Sequence, residues 1–256
     1  MGTTTRELHA GTLGHLEKPD DLAAVNERFY ERLWRRAYFV GPDRFNTWPL
    51  AQELAAGARD RLEVGPGLRP RLPVNGTHFV DLSEAALKSL AARGGITVHA
   101  DARRLPYAAE SFDLVCALDI IEHIADPNAA FSELARVLRP GGVLLLAVPL
   151  HPERWTSFDS IVGHARRFTA DELLSTLTRH GLTIERSAPY GMQSQNSALL
   201  RFTASGFTHM PRFTIFMYNR LVLPLGLALQ KPLALQQGLL ETAGVNEVFL
   251  VCRRAR

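Results

Sequence analysis

The sequence predicts an α/β protein built on a doubly wound sheet, and three observations predict it. Arg61-Leu62-Glu63-Val64-Gly65-Pro66-Gly67 reads as a buried strand ending in a carboxylate and a tight Gly-x-Gly turn. Further short apolar runs follow at strand-like intervals, and the first four runs each bring an acid to their C-terminal end: Glu63, Asp81, Asp101 and Asp119. In a doubly wound sheet that edge is where ligands sit. Finally, the helical stretch Leu134–Arg139 is closed by Pro140-Gly141-Gly142 directly before the apolar run Val143–Pro149.

Each element follows from local pattern. The first residues, 1–18, are polar. From Asp20 to about Tyr38, Leu22, Val25, Phe29 and Leu33 recur at helical spacing with Pro19 at the start. A second short helix covers about Pro49–Ala58 and leads into the first strand. The core then alternates strand and helix to Pro149. His151–Gly163 reads as a loop over the site. Thr169 caps the next helix, with Glu172 placed to complete a capping box, and His180-Gly181 ends it. Leu182–Arg186 is the sixth strand and Glu247–Cys252 the seventh. The sixty residues Ser187–Asn246 between them are far more than a hairpin needs. They hold Phe202, Phe207, Phe213, Phe216 and Tyr218, then the apolar run Leu221–Leu229 broken by Pro224, and read as a helical lid or substrate insertion. The implied divisions are a cap over 1–58, a core over 59–187, the insertion over 188–246 and a final strand and tail over 247–256.

Composition narrows the function. Hydrophobic residues make up 46% of the 256 and charged residues 21%, the profile of a soluble globular chain. The net charge is only +3, and the basic residues fall in scattered pairs such as Arg35-Arg36 and Arg253-Arg254, so nucleic-acid binding is not indicated. Cys116 and Cys252 lie in apolar strands and read as core residues, which fits a reducing cytoplasm. No apolar leader or membrane-length run is expected.

The Gly-x-Gly turn separates two ligand classes. A dinucleotide site wants Gly-x-Gly-x-x-Gly opening a helix onto a pyrophosphate. Here the third glycine position is Pro70, and Pro73 follows, so Leu68–Gly76 cannot form that helix. Carboxylates at Glu63, Asp81 and Asp101 suit a ligand bearing hydroxyls, an ammonium and a sulfonium. Asp81 stands 16 residues after Gly65, near the spacing of a ribose-binding acid.

The order of these features, with Arg103-Arg104-Leu105-Pro106 through Ser111-Phe112-Asp113, Ile121-Glu122-His123-Ile124-Ala125-Asp126-Pro127 and Leu134 through Gly142, resembles the class I S-adenosylmethionine-dependent methyltransferases. It is closest to the small-molecule, type 11 and ubiquinone-pathway O-methyltransferase group. The resemblance covers about residues 60–187 and the last strand. It implies a seven-stranded Rossmann-like sheet, S-adenosylmethionine as methyl donor and S-adenosylhomocysteine as product. It also implies a small-molecule acceptor, most readily O-methylated in specialised metabolism or in sugar or lipid modification, by a monomer or homodimer. Two rivals stay open: an enzyme of this fold acting on RNA or protein, and a cofactor-binding module without transfer. Arg69 stands where the family usually has a further glycine, and this departs from the pattern.

By the same resemblance, Glu63 lies near the methionine end, with Gly65, Pro66 and Gly67 giving close backbone approach. Asp81 and Leu82 take the ribose side, Asp101, Ala102 and Leu105 the adenine, and Leu118 and Asp119 complete the cofactor set. Asp119, Glu122 and His123, at spacings of three and four, share one face if a helix begins after the fourth strand. With His164 of Gly163-His164-Ala165-Arg166-Arg167-Phe168-Thr169, they resemble a divalent-metal site of ubiquinone-group and small-RNA 2′-O-methyltransferases. His123 and His164 are alternatively catalytic groups that touch the acceptor, or structural residues. Trp34, Tyr38, His151, Trp155 and Arg166 are the acceptor-side candidates. Arg166 and Arg167 either grip an anionic group or sit on a solvated face. The aromatic N-terminal region is alternatively a packed core.

Overall fold

The computed structural model describes residues 19–191 and 216–256. Helix α1, Pro19–Trp34, and helix α2, Trp48–Gly57, precede a sheet of eight strands. These are β1 Arg61–Val64, β2 His78–Asp81, β3 Ile96–His99, β4 Phe112–Leu118, β5 Leu138–Pro149, β6 Leu182–Pro189, β7 Gln236–Gln237 and β8 Glu247–Arg254. Their spatial order is β3-β2-β1-β4-β5-β8-β6-β7. Strands β1 to β5 run parallel, and β8 inserts antiparallel between β5 and β6. The strand order therefore reverses between β1 and β4, which opens a crevice beyond their C-terminal ends. The expected seven strands gain an eighth, the two-residue β7, which pairs with Arg186 and Ser187 at the sheet edge.

The helices lie where their caps start them. Ser83 caps α3, Glu84–Ala91, by accepting from the Ala86 N–H, and Asp126 caps α4, Pro127–Val137, by accepting from Asn128 and Ala129. Thr169 accepts from the Glu172 N–H at the start of α6, Ala170–Arg179, and Gly181 beyond its end takes φ +68°. One face of the sheet packs Phe131, Leu134, Phe168, Leu173 and Leu177 against Val115, Leu144, Leu146 and Val148. The other packs Leu50, Ala51 and Ala55 of α2 with Leu72 against Leu114, Cys116 and Leu145. Cys116 and Cys252 are free and buried.

Three expectations are corrected. Helix α4 ends at Val137, and Pro140-Gly141-Gly142 lies inside β5, where a register shift opposite Phe112 to Leu114 accommodates it. The segment 151–163 is not simply a loop. It holds a 3₁₀ turn, Pro152–Arg154, and helix α5, Ser157–Val162, started by a Thr156–Asp159 capping box. The residues after β4 form a single 3₁₀ turn, Ile121–His123, rather than a helix bearing Asp119, Glu122 and His123 on one face.

Of the insertion, residues 188–191 and 216–246 are described; Phe202, Phe207 and Phe213 lie outside the described residues, as does the polar stretch 1–18. A π turn, Tyr218–Val222, leads into α7, Leu223–Ala228. Pro224 has no N–H to continue an α ladder, and the wider turn, closed by Leu223 N–H onto the Tyr218 carbonyl, accommodates it. Leu223 packs on Val40 and Phe45. Among the described residues no helix is long and apolar enough to cross a membrane.

Candidate functional site

The β1–β4 crevice begins at Gly65-Pro66-Gly67. Gly65 and Gly67 have φ +68° and +54°, which side chains rarely tolerate. A Cβ on Gly65 would meet Ile120 Cδ1 at 2.6 Å, and one on Gly67 would overlap the Trp34 ring. As Pro70 and Pro73 predict, no helix follows β1. Glu63, at 3% exposure, instead accepts the N–H groups of Arg71 at 2.8 Å and Leu72 at 2.9 Å and so holds the loop against the sheet. Burial pushes its carboxyl up to about 7 despite those bonds.

Asp81 ends β2 beside the loop. It accepts from Gly67 N–H at 2.9 Å and Ser83 N–H at 2.8 Å, and burial moves its pKa upward. An ionised carboxylate has about four acceptor positions, and with the Leu82 N–H also directed at Asp81 about one remains for a hydroxyl donor. Asp101 lies just past β3, where Arg103 closes on it at 2.7 Å. Burial acts upward on Asp101, but the Arg103 hydrogen bonds bring its pKa below the ordinary value. Ala102, Leu105 and Leu118 are buried, Leu82 half-buried, and the Leu105 N–H is fixed by Glu133 at 2.7 Å. Asp119, at φ +56°, is exposed beyond β4.

A second group lies beside that strand end. Tyr30 of α1 is 3.2 Å from His123 Nε2, and His123 Nδ1 is 3.2 Å from the Gly163 carbonyl. A carbonyl only accepts, so Nδ1 carries the proton, while the single Tyr30 O–H proton is shared between His123 Nε2 and the Val162 carbonyl at 3.1 Å. Burial, and then His164, push His123 down to about 3, so its ring is neutral. Asn26 ties the same loops together by donating to the carbonyls of His123 and Gly163.

His164 differs. Its Nδ1 donates to Asp159 Oδ1 at 2.9 Å, which leaves the Nε2 lone pair facing Glu122 Oε1 at 3.8 Å. Asp159 is wholly buried and receives both Nε and Nη2 of Arg167 at 2.9 Å, plus the Thr156 N–H. Its burial acts upward, yet these bonds from His164, Arg167 and Thr156 hold it well below the carboxylate range. Glu122, 2% exposed, has its Oε2 buried without a partner, and burial followed by the Asp119 charge pushes its pKa well up.

Glu122, His123 and His164 place ligand atoms within 4.8 Å of one another, and Asp119 falls outside that group. Both His123 nitrogens and His164 Nδ1 are already engaged, so one imidazole nitrogen and one carboxyl remain open. This donor set is too small to hold a hard divalent ion by itself.

A third group closes the crevice from the insertion side. Arg71 stacks on Phe45 at 3.6 Å and donates to Tyr190 Oη at 3.3 Å. Glu247 at the start of β8 hydrogen-bonds Asp119, and its Oε1 is buried without a partner. Arg69, in the place of the family's further glycine, lies between Trp34 and Tyr218, 5.4 Å from each ring. Of the acceptor-side candidates, only Trp34 joins the glycine loop. Tyr38 and Trp155 are exposed, and Trp155 donates to Ser160. His151 is held by Thr242 and Glu153, away from the two histidines. Arg166 donates to the Ala125 carbonyl and keeps a buried, unpartnered Nε. Arg167 grips Asp159 rather than facing a ligand.

Sequence reading missed Tyr30, Asn26, Arg71, Asp159 and Glu247. The Thr156-x-x-Asp159 capping spacing was the one local signal among them, since the others meet the site only through long-range packing.

Residues 65–146 match the family described as "Methyltransferase domain". The chain is 38% identical over 74 residues to 2-methyl-6-phytyl-1,4-hydroquinone methyltransferase 1, chloroplastic, of Oryza sativa subsp. japonica, a match covering 29% of this chain and 22% of that protein. It is 32% identical over 114 residues to an O-methyltransferase of Pyrenophora dematioidea, covering 42% and 43%. These matches thus span less than half of either relative's length. Among solved structures, the fold is similar to an S-adenosylmethionine-dependent methyltransferase of Thermotoga maritima, described as a possible histamine N-methyltransferase. The TM-score is 0.57, with 18% identity over 91% of this chain and 99% of the other.

Proposed function

We infer that this chain, with its family's methyltransferase domain at residues 65–146, is an S-adenosylmethionine-dependent methyltransferase, and we propose that it methylates a hydroxyl of a small-molecule acceptor. The donor set of the crevice fits that cofactor. Asp81 has an acceptor position left for a ribose hydroxyl, and the apolar walls at Leu82, Ala102 and Leu105 suit a purine, with Asp101 at the rim. Asp119 and Glu247 suit an ammonium, and Arg71 a carboxylate. Gly65, Pro66 and Gly67 bring backbone close, and Glu63 supports them from below. Leu118 floors the crevice. The cofactor supplies a methyl group already activated on a sulfonium.

The chain's own task is to align the acceptor, exclude water and take a proton. His164 is placed for the proton. Asp159 holds its Nδ1–H, so Nε2 presents a lone pair beside the buried Glu122. An acceptor hydroxyl lodged there would donate its proton to Nε2, with Asp159 stabilising the imidazolium, while bound S-adenosylmethionine would give up its methyl group and leave as S-adenosylhomocysteine. His123 orients this pocket instead of taking the proton, because both of its nitrogens are engaged. Trp34, which packs on Gly67, borders the acceptor side from the cap, and Arg166, which bonds the Ala125 carbonyl, borders it from the segment after β5. No step is assigned to a metal ion.

The observation that carries this reading is the buried Asp159–His164 pair, with its open nitrogen beside the crevice. The test is transfer of isotope-labelled methyl from S-adenosylmethionine to components of a metabolite extract. The proposal expects a labelled small molecule with wild type and none with His164→Gln; label in RNA or protein alone contradicts it.

A further inference from the structure

The helical segment over residues 216–229 has two unlike faces. Its inner face holds Leu223 on Val40 and Phe45, and Tyr218 on Arg69 of the cofactor loop. Its outer face leaves Phe216 57%, Leu221 56%, Val222 57%, Leu225 60% and Leu229 70% exposed. Exposed apolar side chains so concentrated on one short helix mark an interaction surface.

The charges around this face choose the occupant. Between Glu185 and Glu241 the sequence has no Asp or Glu, and it has five cations: Arg186, Arg201, Arg212, Arg220 and Lys231. Arg220 and Lys231 are exposed beside the apolar face. A second copy of this chain fits poorly, because a two-fold contact would set Arg220 and Lys231 of each copy against the same cations of the other. An apolar face that carries Arg220 in its own segment and Lys231 just beyond it, with no acid in that segment, complements an anionic lipid surface.

We propose that this segment docks the protein in the interfacial layer of an anionic membrane, so that the acceptor is an amphiphile presented by that surface. The proposal rests on the methyltransferase reading for the acceptor, and on the helix alone for docking. The inner face of the docked segment touches the loop that begins the crevice, so the docked protein holds its site beside the lipid.

Cosedimentation with vesicles of phosphatidylcholine, with and without about one-third phosphatidylglycerol, tests it. Wild type should bind the anionic vesicles and be released by high salt. Leu221→Gln with Leu225→Gln and Leu229→Gln should weaken binding about tenfold or more, as should Arg220→Glu with Lys231→Glu. Unchanged melting temperature and S-adenosylmethionine affinity in the same variants show that they fold. Wild type that ignores anionic vesicles overturns the proposal. So does a wild-type dimer that the leucine variants dissociate while vesicle binding stays absent. Loss of S-adenosylmethionine binding in wild type would instead overturn the enzymatic reading and leave the vesicle result standing.

Discussion

The proposed function makes predictions at four side chains, Asp81, the Asp159–His164 pair and His123. Asp81→Asn keeps the shape and removes the charge that ribose hydroxyls would meet, so the Kd for S-adenosylmethionine should rise about ten- to a hundredfold by calorimetry. Asp159→Asn and His164→Gln should each lower kcat by about 10²-fold or more while cofactor Kd stays within about twofold. Equal losses in affinity and turnover would assign the pair to structure alone. His123 makes a prediction about pH. Its folded pKa lies near 3, below the ordinary 6.5, so between those values the unfolded chain binds more protons and stability falls as pH drops. Between pH 7.5 and 5.5 wild type should lose about 1 kcal/mol more than His123→Gln in denaturant titrations. Asp81 was legible because spacing after the glycine turn places it. Asp159 and Tyr30 were not, because their partners lie 5 and 93 residues away and nothing local marks burial against a histidine.

At the scale of elements, the β1–β2 connection is the distinctive one. Pro66, Pro70 and Pro73 forbid a helix there, and the Glu63 carboxylate takes the place of helical hydrogen bonds by collecting the Arg71 and Leu72 N–H groups. Glu63→Gln leaves one acceptor for two buried donors and should cost about 1–3 kcal/mol of stability, read in the same titrations. A change under 0.5 kcal/mol would show that the loop is held by its prolines alone. The absence of this helix was legible because proline acts locally. The helix at Ser157–Val162 was not, since six residues offer little periodicity and its start depends on Asp159, which also serves His164 and Arg167. The Pro-Gly-Gly signature was placed one element early, because β5 pairing captures residues that local propensity assigns to a turn.

At the scale of the molecule, alternating apolar runs and capped helices were enough to read the doubly wound sheet, whose central parallel strands β1, β4 and β5 are largely buried. The eighth strand was not legible: two glutamines carry no strand pattern, and β6 recruits them at its free edge. The strand order puts the Gly65–Gly67 loop, Asp81, Asp119 and the His164 pocket around one crevice, and the central claim is that this crevice holds an adenosyl sulfonium. Titration calorimetry of the full chain with S-adenosylmethionine and with NAD tests that most directly. The account predicts saturable one-to-one binding of S-adenosylmethionine, weakened by Asp81→Asn, and no heat of binding with NAD. Binding of the phosphate-bearing dinucleotide in its place, or of neither compound, would contradict it.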